Sequence, residues 1–437
     1  MAQFKQGDSL NQPFLLPPSI SDWLPKDHLA WFIYDAVGEL DIESLLSAYR
    51  YCGKGELPYD PRMLLRVLIY AYATGVFSSR KIEKHLAENV AFRVLAGNQM
   101  PGHRTICRFR ERHLDEFENL FVQVLGFAMD AGLVKLGTIA IDGSKVRANA
   151  SKHKSMSYDR MKKEEKRLRE EIRSITKMAQ GRDAKEDHEL GLDFCENQLP
   201  EELKRREDRL AKIRSAKRRL ESRKAEEHKE EERRKAEKSD SEPPESDGSA
   251  GVPKEKDQEN FTDPDSRIMK DKNGFQQDYN AQIAVDAEHQ IIVANELTNC
   301  ASDSRELIPV IEATEKNTNS KVGVVLADAG YKSEENFEKL EEKEIDAYVA
   351  LGKEGKSAKR NKKKLVATER MRDRMSKKRS RKAYKKRKHI VEPVFGWIKS
   401  AIGFRTFSLR RHRKVAGEWS LVCLAINLRR MSEKMTI

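Results

Sequence analysis

The sequence predicts a mixed α/β fold, and three observations lead to this prediction. Short apolar segments of strand character alternate with helical segments between Phe275 and the C-terminus. One further apolar strand, residues 136–149, lies well before them. A highly charged, helix-periodic segment, residues 155–260, separates the two. Because strands and helices alternate, we expect one mixed sheet domain with a helical insertion after its first strand, preceded by an all-helical N-terminal domain.

Residues 1–135 are predicted to form this helical N-terminal domain. The stretch Pro61–Thr74 starts with proline and is apolar on most faces, which is typical of a helix buried by its neighbours. Ser78 to Lys81 predict the start of a second helix. A third is expected to begin near Arg104 or Thr105. It carries or adjoins a cluster of basic side chains: His103, Arg104, Arg108, Arg110 and Arg112.

The predicted sheet contains five strands. They are residues 136–149, Tyr279–Val285, Gln290–Leu297, Lys321–Asp328 and Ala347–Leu351, of which the second and third form a hairpin. Helices are expected over Ser304–Thr314, Ser333–Lys343, 387–401 and 413–432. Without the insertion, this is the element order of an RNase H-like domain, formed by residues 136–154 and 261–437. A long insertion is tolerable because the entropy of loop closure rises slowly with length.

The insertion, residues 155–260, is predicted to contain two charged helices, near 157–178 and 200–237. Apolar residues at heptad-like spacing mark the second: Leu203, Leu210, Ile213 and Leu220. Ser239–Gly251 has the composition of a flexible linker. The insertion is either a coiled-coil arm for dimerisation or DNA clamping, or a solvated helical hairpin that packs on its own domain.

The charge of the chain indicates a polyanionic partner. The 84 Lys and Arg residues exceed the 71 Asp and Glu residues, which gives a net charge of +13. Arg360–Lys388 alone contains sixteen Lys and Arg residues against two acids, a net charge of +14. The rest of the chain is therefore nearly neutral. Such a run is often a disordered basic segment, but its position just before the final helices favours a groove for the DNA backbone.

Several classes of protein are disfavoured. The five cysteines, at 52, 107, 195, 300 and 423, form no CxxC motif and no disulfide framework. No apolar run approaches the roughly 20 residues that a membrane span needs, and the N-terminus lacks the apolar core of a signal peptide. We therefore expect a cytoplasmic protein without a membrane partner.

Three acidic residues occupy unusual positions. Asp142 follows the apolar residues Thr138–Ile141, Asp328 ends another apolar strand, and Glu392 opens the last but one helix. Acids within or just beyond apolar strands are costly unless they are paired, hydrogen-bonded or metal-bound. If the two strands are neighbours, the two aspartates lie side by side. A cluster of carboxylates selects a hard cation, Mg²⁺ or Mn²⁺, and two such ions can drive phosphodiester chemistry.

Each acid also has an ordinary explanation. A strand-terminal aspartate usually caps a turn, and a glutamate at a helix start interacts with the helix dipole. Asp263 and Asp265 form a similar pair, which either supports the site or belongs to a solvated turn around Pro264. The combination of three acids in this order of elements is what favours catalysis.

These residues lie in segments that resemble bacterial insertion-sequence DDE transposases, from the superfamily with a Tyr-Arg-Glu-Lys signature. The resemblance covers nearly the whole chain, and its matching segments are specific when taken together. They are Ile141–Asn149, Thr262–Arg267, Tyr279–Gln282, Ala327–Tyr331 and Val391–Gly396. The long charged insertion is most similar to that of insertion-sequence family eleven-eighty-two. The resemblance implies a catalytic triad of Asp142, Asp328 and Glu392 with two Mg²⁺ ions, for which Mn²⁺ can substitute.

The signature of that superfamily is Tyr-x2-Arg-x3-Glu-x6-Lys. Tyr384, Arg387, Glu392 and Lys399 reproduce it except that the Arg-to-Glu spacing is one residue too long, and Lys388 stands at the expected position. The resemblance implies that Lys399 contacts DNA phosphates, from the same helix face as Glu392, and leaves Arg387, Lys388 and Tyr384 as further candidates. Other candidate DNA contacts are Arg405, Arg410, Arg411 and Arg413, with Arg104 and Arg108 in the N-terminal domain. Phe404 and Phe407 either stack on unpaired bases or anchor this loop to the core.

The resemblance implies an enzyme that cuts double-stranded DNA at transposon ends and joins the 3′-hydroxyl to a target, as a homodimer or larger synaptic complex in the bacterial nucleoid. Three alternatives remain at this point. A DNA-binding regulator or inactive copy would keep the fold without catalysis, and a related nuclease would cut without strand transfer. A coiled-coil scaffold would leave the alternating strands unexplained.

Overall fold

The computed structural model describes residues 19–49, 57–190, 201–236, 251–271, 274–352 and 365–435. Within these ranges the helices are α1 (Leu29–Glu39), α2 (Glu43–Ser47), α3 (Pro61–Ala73), α4 (Ser79–Glu88), α5 (Val90–Leu95), α6 (His103–Arg112), α7 (Glu116–Asp130), α8 (Tyr158–Leu190), α9 (Glu201–Ala236), α10 (Leu307–Thr318), α11 (Glu334–Glu342), α12 (Val366–Ser376), α13 (Lys378–Gly396) and α14 (His412–Met435). The strands are β1 (Thr138–Arg147), β2 (Ser155–Ser157), β3 (Gln258–Asn260), β4 (Arg267–Asp271), β5 (Gly274–Asp286), β6 (Ile292–Thr298), β7 (Val324–Ala327) and β8 (Asp346–Val349). The chain is therefore a mixed α/β protein.

The chain divides into two compact units, residues 1–146 with 280–437 and residues 147–279. The first unit contains the main sheet, in the order β6-β5-β1-β7-β8. The pair β5–β6 is antiparallel, as the predicted hairpin requires, whereas β7 is parallel to both β1 and β8. Most residues of β5, of β7 and of the first half of β1 are buried, which is typical of a sheet covered by helices.

Helix α14 forms the centre of the helical layer of this unit. It packs against α7, α3 and β6. The Asn427 amide donates to Ile292 O at 2.8 Å and accepts from Ile292 N at 2.9 Å. The fully buried Glu418 accepts hydrogen bonds from Tyr72 Oη at 2.9 Å and from Ser408 N at 2.9 Å. These bonds satisfy polar groups that would otherwise be costly inside the core.

The N-terminal helices belong to the same compact unit as the sheet. As expected, Pro61–Ala73 forms a helix that is buried along nearly its whole length. Pro61 stands at its first position, and Asp60 caps it by accepting a hydrogen bond from Arg62 N at 2.8 Å.

The second unit contains the long helices α8 and α9, which pack on each other. Their shared core includes Met161, Leu168, Leu210 and Ile213, so the heptad-spaced residues of α9 do face a neighbouring helix. Helix α8 extends to Leu190, twelve residues beyond the predicted end. Strands β2 and β3 are antiparallel, and β4 pairs with Gly274–Asp278 of β5. The predicted linker, Ser239–Gly251, lies outside the described residues except for its last residue.

Candidate active site

Two aspartates lie side by side on neighbouring parallel strands. The register of β1 and β7 pairs Ile141 with Ala327, so Asp142 and Asp328 are the next residues on each strand. Asp142 is within β1, which continues to Arg147. Asp328 lies just beyond β7, where its Oδ1 accepts a hydrogen bond from Gly330 N at 2.7 Å. The expected adjacency of these two residues follows from this parallel pairing.

One guanidinium links Asp142 to Glu392. Arg387 Nη1 donates to Asp142 Oδ2 at 3.0 Å, and Arg387 Nη2 lies 3.8 Å from Glu392 Oε1. The Arg387 side chain is only 9% exposed, whereas that of Glu392 is 53% exposed. Helix α13 therefore brings Glu392 to the same region as the two aspartates. Arg387 contacts both Asp142 and Glu392.

The electrostatics of this site leave Asp142 poorly compensated. Burial, together with the neighbouring charge of Asp328, raises the pKa of Asp142 to about 6, although Arg387 acts in the opposite direction. Desolvation penalises the ionised carboxylate, and a like charge nearby increases that penalty. A bound cation would relieve both effects.

The donors at this site fit a hard divalent cation, because the ligands available from Asp142, Asp328 and Glu392 are all carboxylate oxygens. The part of the chain that the structure describes contains no group of three or more His, Cys, Asp or Glu side chains arranged to hold a metal ion. The two aspartates are thus adjacent, while Glu392 is connected to them through Arg387.

Glu392 is not at the start of its helix, as the sequence suggested. Helix α13 begins at Lys378, and Glu392 lies near its C-terminal end, so the helix-dipole explanation for this acid is wrong. The helix continues through Pro393, which cannot donate a hydrogen bond to the carbonyl of His389. That carbonyl instead accepts a hydrogen bond from Gln290 Nε2 at 2.7 Å. A tertiary contact therefore permits a proline beside Glu392.

Lys399 does not continue the α-helical face of Glu392. The chain changes to a π-helical turn over Trp397–Ala401, which alters the angular spacing that the sequence argument assumed. Lys399 Nζ nevertheless points towards the strand that carries Asp142, because it donates to Lys145 O at 2.7 Å.

The remaining basic candidates have different surroundings. Tyr384 is half-buried and Lys388 exposed on α13. Arg405, Arg410, Arg411 and Arg413 are exposed in and after the loop that follows the π-helical turn. Arg405 Nε donates to Lys399 O at 2.9 Å, and Arg413 Nε pairs with Asp115 Oδ1 at 2.8 Å. Some of the positive charge of this region is therefore already neutralised within the protein.

Phe404 and Phe407 are core residues. Both are buried, and their ring centroids are 5.3 Å apart. Phe404 also packs edge-on against Phe77, at 5.0 Å between centroids. Of the two readings of these aromatics, the one in which they anchor the loop to the core is therefore confirmed.

The basic residues of α6 separate into exposed and buried groups. Arg104 and Arg108, one turn apart, are exposed. Arg110 is buried and donates to Tyr72 Oη and to Phe77 O, both at 3.0 Å. Arg112, at the end of the helix, is also exposed, so Arg104, Arg108 and Arg112 are accessible to a partner whereas Arg110 is not.

Sequence reasoning missed a polar cluster directly beside the aspartates. Asp303 Oδ1 accepts hydrogen bonds from Asn280 Nδ2 at 2.6 Å and from Gln282 Nε2 at 2.8 Å. Tyr331 Oη donates to Gln282 Oε1. Asn280 and Gln282, two polar residues that alternate with the apolar residues Ala281 and Ile283, are a signal that could have been noticed. Asp303 lies in a turn of ordinary composition, which gives no such signal.

The second acidic pair behaves differently from the expectation for a solvated turn. Asp263 is fully buried and accepts hydrogen bonds from Tyr279 Oη, at 3.1 Å to Oδ1 and 3.0 Å to Oδ2. The prediction of a solvated turn is therefore wrong for Asp263. Its burial follows from pairing with a tyrosine that the sequence places sixteen residues away.

Two protein-family models match the chain. The model described as "Transposase DDE domain" matches residues 244–428, and the model described as "Transposase domain (DUF772)" matches residues 18–112. No curated protein and no solved structure shows significant similarity to the chain. Among the described helices, none combines the length and hydrophobicity of a membrane span.

Proposed function

Because the chain belongs to the insertion-sequence DDE transposases, we propose that Asp142, Asp328 and Glu392 are its catalytic triad. The observation that carries this proposal is the parallel register of β1 and β7, which makes the two aspartates neighbours, together with the Arg387 contact that brings Glu392 to them. The strand order β6-β5-β1-β7-β8 supports an RNase H-like catalytic domain, with the segment after β1 as its helical insertion.

The reaction that we propose is cleavage at the ends of the element, followed by transfer of the 3′-hydroxyl into target DNA. Two bound Mg²⁺ or Mn²⁺ ions would activate the attacking water or hydroxyl and stabilise the departing oxygen. Asp142 and Asp328 would hold these ions from adjacent strands, and Glu392 would complete the set from α13. Arg387 would offset the repulsion between the carboxylates while no cation is bound.

The DNA contacts that we propose lie on α6, α13 and the loop after the π-helical turn. Lys399, Lys388 and Tyr384 come from the signature region, and Arg405, Arg410, Arg411 and Arg413 extend it. Arg387, from the same region, is buried and paired with Asp142, so we do not propose it as a DNA contact. The exposed Arg104 and Arg108 would contact the transposon end from the N-terminal helices. Since two ends must be joined to one target, the active species would be a homodimer or a larger complex.

The proposal is tested by a cleavage assay. The full-length protein is mixed with labelled DNA that carries the end of its element, with and without Mg²⁺. We expect cutting at the end only with the metal, and its loss in Glu392→Gln at unchanged DNA affinity. Glu433→Gln, on α14, is the matched control and should cut normally. Binding without cutting at any metal concentration would overturn the proposal and favour a regulator or an inactive copy.

A further inference from the structure

A third aspartate, Asp303, lies close to the backbone next to Asp142 in β1 and to the turn after Asp328. It begins a short 3₁₀ turn, Asp303–Arg305, just after β6. Its Oδ1 accepts hydrogen bonds from the side-chain amides of Asn280 and Gln282. These two residues are fully buried and lie two positions apart on β5, so their side chains share one face of the sheet. The carboxylate of Asp303 is therefore fixed by two donors from the strand beside β1.

Glycines allow Asp303 to approach both catalytic strands. A methyl group on Gly143, the residue after Asp142, would lie 2.8 Å from Asp303 Oδ1 and would collide with Gln282 Nε2. A methyl group on Gly330 would lie 2.9 Å from Asp328 Oδ1 and 3.1 Å from Asp303 Oδ2. Because Asp328 Oδ1 and Asp303 Oδ2 both lie this close to the same methyl position on Gly330, these two oxygens are at most about 6 Å apart. The β1 backbone at Gly143 and the turn at Gly330 are thus packed directly against the Asp303 carboxylate.

Tyr331 fixes the orientation of the Gln282 amide. Its hydroxyl donates to Gln282 Oε1, which leaves the amide nitrogen to donate to Asp303. Tyr331 is completely buried and follows Asp328 by three residues. Burial, and then the charges of Asp303, Asp142 and Asp328, raise the pKa of Tyr331 well above its usual value. The charges of all three aspartates therefore act on the same buried hydroxyl, that of Tyr331.

We propose that Asp303 is a positioning residue of the metal site: through Gln282, Gly143 of β1 and the turn at Gly330 it fixes Asp142 and Asp328, and its charge strengthens cation binding. This inference rests on the proposed function. Groups that orient metal-binding side chains typically change metal affinity by about 10–100-fold when they are mutated. A carboxylate used only to close a turn would affect folding and leave metal affinity unchanged.

The test measures Mn²⁺ binding to the full-length protein by electron paramagnetic resonance, beside thermal melting in a chelator. We expect Asp303→Asn to weaken Mn²⁺ binding about tenfold or more. Glu312→Gln, which removes the same charge from an exposed site on α10, should leave binding within about twofold of the wild type. Asp303→Asn with wild-type Mn²⁺ affinity would overturn the inference while the proposed triad stands.

A second variant covers the case in which Asp303→Asn folds poorly. Gly330→Ala places its methyl group between Asp328 and Asp303, and we expect it too to weaken Mn²⁺ binding. Gly126→Ala is the matched control, because nothing lies within 4 Å of the added carbon. Gly330→Ala that is folded and binds Mn²⁺ normally would also contradict the inference. A wild-type protein that binds no Mn²⁺ would instead overturn the proposed metal chemistry itself.

Discussion

Two acids, one in each unit of the chain, have opposite electrostatic surroundings: Glu165 is buried and Asp142 is half-buried. Glu165 of α8 is paired with three cations: Arg169 Nη2 at 2.5 Å, Arg214 Nε at 3.2 Å and Lys217 Nζ at 3.1 Å. Burial alone would raise the pKa of Glu165, but Lys217 and Arg214 lower it below its usual value. This acid is fully compensated by its own protein.

Asp142 has the reverse arrangement. It has one cationic partner, Arg387, which also faces Glu392, and its neighbours include Asp328. Its pKa is raised to about 6, which means that the folded protein resists its ionisation. The difference teaches that the helical unit uses its buried charge to hold two helices together. The sheet unit instead retains uncompensated negative charge, which a functional cation can satisfy.

Among the variants that test this contrast between Glu165 and Asp142, we expect the largest effect for Asp142→Asn. Metal-dependent cleavage should fall by at least about 10³-fold, because a ligand worth several kcal/mol in the transition state is lost. Stability should respond in the opposite sense. The raised pKa of Asp142 stabilises the folded state below an unfolded pKa of roughly 4, and this contribution is lost as pH rises through about 6.

In a chelator, the melting temperature of Asp142→Asn relative to the wild type should therefore be higher at pH 8 than at pH 5. Melting curves at the two values of pH, beside the cleavage assay, measure both effects. A variant that cuts as well as the wild type would remove Asp142 from the triad. If the difference in melting temperature between the variant and the wild type is the same at both pH values, ionisation of Asp142 does not destabilise the folded protein.

Glu165→Gln should affect only the stability of the helical unit. Removing one partner from a buried ion-pair cluster leaves cations without compensation, at a cost of about 3 kcal/mol. Faster amide hydrogen exchange in α8 and α9 would measure this loss, and Mn²⁺ binding should not change. Glu171→Gln breaks a more exposed pair with Arg206 and should destabilise the helical unit much less, because solvent screens exposed charges. Equal effects of the two variants would contradict the contrast drawn above.

The smallest effect concerns a second acid of the sheet unit, Glu296 on β6. Burial, followed by the charges of Glu118 and Glu306, raises its pKa to about 7, while Lys316 acts in the opposite direction. The corresponding stabilisation is present below the unfolded pKa and is lost as pH rises through about 7. We expect Glu296→Gln to raise the melting temperature at pH 8 but not at pH 5. Glu338→Gln, at an exposed position, should change the melting temperature equally at pH 5 and pH 8. If Glu296→Gln behaves in the same way as this control, the prediction is refuted.

Much of the fold was accessible from the sequence because its signals are local. The apolar runs around Ile139 and Val325, the proline start of α3 and the spacing of Leu210 and Ile213 each report on their own element. The boundaries were less accurate where a tertiary contact overrides a local rule. Glu392 was expected to open its helix, yet α13 begins at Lys378 and passes through Pro393, where Gln290 satisfies the carbonyl that the proline leaves free.

By itself the sequence determined which acids to consider, because Asp142, Asp328 and Glu392 lie at distinctive positions in recognisable elements and segments. Only the tertiary structure decided what surrounds them. The parallel register of β1 and β7, the Arg387 contact and the approach of Asp303 to Gly143 and Gly330 join residues far apart in the chain. Periodicity and spacing report the face on which a side chain lies, whereas its partners depend on how strands and helices pack, which no local pattern encodes.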